Sequence, residues 1–68
     1  MNEESLNTSV RGFLKKVGIT SQREIEKAVH AGIASGRLKG HEALPAEAVI
    51  TIAGVDLRVA IQGDVELA

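Results

Sequence analysis

Residues 13–29 read Phe-Leu-Lys-Lys-Val-Gly-Ile-Thr-Ser-Gln-Arg-Glu-Ile-Glu-Lys-Ala-Val, and this run most constrains what the chain can fold into. Gly18 is a helix stop, because glycine takes the left-handed conformation that closes a helix end at no steric cost. Leu14 and Ile19 fall where a Schellman motif places its hydrophobic contact. Ser21 is then an N-cap, and Glu24 three residues later completes a capping box. The run therefore predicts two helices joined by a tight turn.

Periodicity supports each helix. Leu6, Val10, Phe13, Leu14 and Val17 fall on one helical stripe, with Glu4, Thr8, Arg11 and Lys15 opposite. Asn2 is the N-cap, and Glu3 and Glu4 lie in the first turn. Lys15 and Lys16 lie in the last, so both clusters complement the helix dipole. The second stripe is Ile25, Ala28, Val29, Gly32 and Ile33, with Arg23, Lys27, His30 and Ala34 facing out. Gly36 ends that helix, and Leu38 is expected to fold back onto the core. Gly32 beside Ala28 suggests close approach of another backbone.

After a connector from Arg37 to Ala46, the period changes from helical to alternating. Val55, Leu57, Val59 and Ile61 alternate with Asp56, Arg58, Ala60 and Gln62, as do Ala48, Ile50 and Ile52 before Gly54. A two-residue loop at Ala53–Gly54 places Ile52 opposite Val55, Ile50 opposite Leu57 and Ala48 opposite Val59; a longer loop is the alternative. Gln62–Asp64 reads as a second turn, whose three-residue form pairs Ile61 with Val65 and Val59 with Leu67. The expectation is an α+β single domain spanning residues 1–68. Two helices, at about residues 3–17 and 22–35, pack on a three-stranded antiparallel meander at about 47–52, 55–61 and 65–67.

Composition narrows the function. A chain of 68 residues with one aromatic, Phe13, and no cysteine has a thin core, because burial and conformational entropy nearly cancel at this size. The absence of cysteine suits a reducing compartment, and the longest apolar runs are too short for a signal h-region or a membrane span. A cytoplasmic protein is expected. Ser5, Ser9, Ser21 and Ser35 lie at caps or helix positions rather than in a nucleophile elbow. His30 follows Glu26 by one turn, but no third metal ligand accompanies them. His41 and Glu42 lie in the connector and are expected to be exposed. No phosphate loop or dinucleotide fingerprint occurs. The chain reads as a non-enzyme with no cofactor.

Two binding readings follow. The first is a protein-interaction module, self-associating as a homodimer. Val49, Ala53 and Ala60 make the second face of the hairpin less polar than a solvated face, and an outer strand edge can pair with a second copy. The alternative is nucleic acid, read by Gln22, Arg23, Lys27 and His30 from the second helix of a helix-turn-helix. A formal net charge of −1 and the flanking Glu24 and Glu26 weigh against it. So does the turn register, in which Glu24 holds the place of the first apolar residue.

The segment Gly18-Ile-Thr-Ser-Gln-Arg-Glu-Ile25 through Ala34-Ser-Gly-Arg-Leu38, followed by a hairpin, resembles the second half of a winged-helix domain. That resemblance implies DNA reading by the second helix, with the hairpin as wing. The chain departs from it in having one helix ahead rather than two, and no basic residue in the wing loop. A second resemblance covers essentially the whole chain. The start Met1-Asn2-Glu3-Glu4, the run Phe13–Val29, Leu38-Lys-Gly40 and Leu44-Pro45 are similar to a family of uncharacterised bacterial proteins of about this length. It implies a free-standing bacterial protein and no particular activity.

Overall fold

The computed structural model describes residues 1–68 and divides them into two units, Met1–Arg37 and Leu38–Ala68. The first unit is one helix, α1, running Glu3–Ala34 over 32 residues. Asn2 caps it as expected, its side-chain oxygen accepting the Ser5 N–H at 3.0 Å. Glu3 and Glu4 stand in the first turn beside the positive end of the helix dipole. At the far end, Gly36 takes φ +80° and its N–H donates to the Ile33 carbonyl at 3.1 Å. Ser35 closes the same turn, donating its N–H to the Ala31 carbonyl at 3.0 Å.

The expected break between two helices does not occur. Residues 18–21 are helical, and Gly18 is absent from the residues of positive φ. Ser21 is thus an interior helical residue rather than a cap. Glu24, instead of reaching back to Ser21, carries an oxygen 3.8 Å from the Lys27 ammonium. Lys15 and Lys16 are mid-helix, and no basic residue stands in the last turn. The reason is energetic. A glycine inside a helix costs about 1 kcal/mol, whereas a break leaves up to four N–H and four C=O groups without helical partners. Glycine permits a stop without imposing one.

The second unit is an antiparallel hairpin of two strands, not a three-stranded meander. Strands β1 (Ala43–Ile52) and β2 (Leu57–Glu66) pair from Ala43 opposite Glu66 to Ile52 opposite Leu57. The connecting loop is Ala53-Gly54-Val55-Asp56, with φ +92° at Gly54 and +52° at Asp56. It is two residues longer than the tight-turn reading, so the partners slide by two: Ile50 faces Val59 and Ala48 faces Ile61. An even slide keeps every side chain on its expected face. The third strand disappears for a related reason. In a straight strand Ile61, Gly63 and Val65 already share a face, so Val65 reaches the apolar side without a turn at Gln62–Asp64. Strand β1 starts earlier than expected and takes in Pro45, which an edge strand tolerates.

Candidate interaction surface

The hairpin has two chemically distinct faces. On one, Leu44, Ala46, Ala48, Ile50 and Ile52 stand opposite Val65, Gly63, Ile61, Val59 and Leu57. No polar side chain interrupts these ten positions. The other face pairs Ala43 with Glu66, Pro45 with Asp64, Glu47 with Gln62, Val49 with Ala60 and Thr51 with Arg58. There the Gln62 amide donates to a Glu47 carboxylate oxygen at 3.2 Å. No residue of the chain is fully buried, and Ile61 on the apolar face is 54% exposed. A lone two-stranded hairpin is marginal in water, so exposed apolar area on this face is available to be buried.

Helix α1 carries a second apolar surface. Leu6, Val10, Phe13 and Leu14 are exposed, and so are Ile25 and Ile33. At 3.6 residues per turn, the centres of the two stripes lie about 80° apart around one continuous axis. The apolar surface therefore winds around α1 instead of running straight along it. That offset suits two separately aimed helices, which is why the sequence suggests a break.

The hairpin's open end is tied down by one carboxylate. Glu42 accepts the backbone N–H of Lys39 at 2.8 Å, of Gly40 at 2.9 Å and of His41 at 3.1 Å. These bonds, that from Lys39 foremost, hold its pKa down to about 2. Gly40 supplies the necessary turn with φ +104°. The Glu42 carbonyl accepts the Leu67 N–H at 2.9 Å, extending the ladder past the strand ends. Glu42 is thus half-buried and structural, where an exposed connector residue was expected. The signal available in the sequence was a glycine two residues before an acid.

The nucleic-acid candidates Gln22, Arg23, Lys27 and His30 all lie exposed on α1. Arg23, Lys27 and His30 share a sector about 60° wide, while Gln22 lies outside it. Gln22 donates to a Glu26 carboxylate oxygen at 3.3 Å, and Lys27 pairs with Glu24. No turn precedes them, so the helix-turn-helix and its winged-helix extension are not formed. No helix is long and apolar enough to cross a membrane.

One helix and one two-stranded antiparallel hairpin make this an α+β protein. The family model described as "Family of unknown function (DUF6494)" matches residues 1–68, and the chain belongs to that family. No curated protein and no solved structure matches it.

Proposed function

We propose that this protein is a non-enzymatic, cytoplasmic interaction module that self-associates as a homodimer. The observation that carries the reading is the hairpin face of ten positions without a polar side chain. Burial of apolar area is worth roughly 25 cal/mol per Å², so such a face drives association wherever a matching surface is offered. The lone aromatic and missing cysteine favour the same conclusion, since neither large rings nor disulfides reinforce a small monomeric core. The absence of cysteine also suits the cytoplasm. Sedimentation equilibrium across the micromolar range tests the proposal. The expected result is a species of twice the 7.2 kDa chain mass. A 7.2 kDa species at every concentration would overturn it.

A further inference from the structure

We propose that the second copy joins at the free edge of β2, antiparallel to β2 itself, with the two-fold axis at Ile61. The product is a four-stranded sheet in the order β1-β2-β2-β1. This inference rests on the self-association reading above and adds to it a surface, an orientation and a register.

The two free edges of the hairpin differ. Strand β1 includes Pro45, which has no N–H to donate, and its one charged residue is Glu47. It offers a second copy of itself no opposite charge. Strand β2 carries Arg58 near its start, and Asp64 and Glu66 near its end. None of the three has an ionic partner within the chain, where the one salt bridge joins Lys27 to Glu24. Antiparallel pairing of β2 with itself sets the start of each strand against the end of the other. The edge is therefore complementary in charge to its own copy.

Side-chain alternation then restricts the register to pairings of like parity, and among these the one with Ile61 on the axis sets Arg58 against the nearer of the two acids. The apolar faces of the two copies coincide only if residues of like parity stand opposite each other. With Ile61 opposite itself, Arg58 meets Asp64 of the second copy, twice by symmetry. On the apolar face Leu57 meets Val65, and Val59 meets Gly63. The backbone agrees. The Leu67 N–H donates to the Glu42 carbonyl, which marks odd-numbered residues of β2 as those bonded to β1. Even-numbered residues thus turn their N–H and C=O groups to the free edge. In this register Arg58–Asp64 and Ala60–Gln62 are the hydrogen-bonded pairs, so the outward groups of all four residues are satisfied. Two exposed edges disappear, and the sheet passes the three strands that independent stability requires.

Charge exchange tests the arrangement. Arg58→Asp alone, or Asp64→Arg alone, turns both contacts repulsive. Each should weaken dimerisation about tenfold. An equimolar mixture of the two variants restores both contacts and should dimerise like the parent. A mixture no tighter than either variant alone would overturn the proposal. Because the chain has no cysteine, Ile61→Cys introduces a single thiol. Two such thiols across the axis fall within disulfide reach, so oxidation should give a covalent dimer. Gln62→Cys should cross-link poorly; preferential cross-linking through it would overturn the register. A parent dimer indifferent to charge exchange and to Ile61→Cys refutes this inference while leaving self-association intact. A monomeric parent refutes both.

Discussion

Ala46 and Gly63 stand directly opposite each other on the apolar face of the hairpin, the smallest cross-strand pair in an otherwise bulky surface. A Cβ added at Gly63 would meet no atom within 4 Å, and its φ is not among the positive ones. Gly63→Ala should therefore stabilise the protein by about 0.5–1 kcal/mol, by removing freedom from the unfolded chain. Thermal melts followed by circular dichroism measure the effect. A lower midpoint would mean that something approaches the Gly63 backbone too closely for a methyl group.

Gly18 and Gly36 should respond oppositely to the same substitution. Gly18 lies inside α1 with open space where a side chain would go, so Gly18→Ala should add about 1 kcal/mol. Gly36 has φ +80°, where alanine is strained, so Gly36→Ala should cost about 1–2 kcal/mol. Urea melts of both variants, read at the helical signal, check the pair. Destabilisation by Gly18→Ala would show a left-handed cap and restore the two-helix reading.

The parts of this fold that were legible are those determined by local chemistry or parity. Asn2 before two glutamates identified the helix start, and Gly36 identified its end. The alternation around Ile50 and Val59 identified the apolar face even though the loop length differed, because side-chain direction depends only on odd or even spacing. Gly18 and Ser21 were misleading because stop and cap signals report what a residue tolerates. Whether a helix actually breaks depends on what compensates the freed backbone groups. The anchoring role of Glu42 is not legible in the sequence because its three donors are backbone amides, which are the same in any sequence. For the surface, the sequence points to the Val49, Ala53 and Ala60 face and to an outer strand edge; Ala53 lies in the loop, and the free edge of β2 becomes visible only once the third strand is gone.

Glu42 makes the hairpin's open end sensitive to acid. Its pKa is lowered from an ordinary 4.5 to about 2 by the N–H groups that it accepts. A carboxyl depressed by folding contributes stability above its unfolded pKa and loses it as pH falls through the folded value. The contribution should be complete above about pH 5 and largely gone near pH 2. Glu42→Gln should unfold more readily than the parent at neutral pH, and the gap should close with acidification. Amide NMR shifts of Lys39, Gly40 and His41 should titrate together near pH 2. Titration near 4.5 instead would show that the three bonds do not form.

Val49 and Ile50 are neighbours in β1 on opposite faces of the hairpin, so the same mutation at each compares the wholly apolar face with the mixed one. Ile50 is half-buried opposite Val59, whereas Val49 is 43% exposed opposite Ala60. Ile50→Glu sets a charge into the apolar face. Since Ile50 is half-buried, the substitution should cost about 1–2 kcal/mol, a part of the roughly 1.5–3 kcal/mol that complete burial of an isoleucine side chain contributes. Because Ile50 lies in β1, away from the free edge of β2, the dimer seen in sedimentation equilibrium should weaken only as far as the fold itself does. Val49→Glu should change stability by about 1 kcal/mol or less, the span of strand propensity, and leave the dimer in place. Equal destabilisation by both variants would mean that the Val49–Ala60 face is shielded from water as much as the Ile50–Val59 face, and the two faces of the hairpin would then not differ in the way that their side chains require.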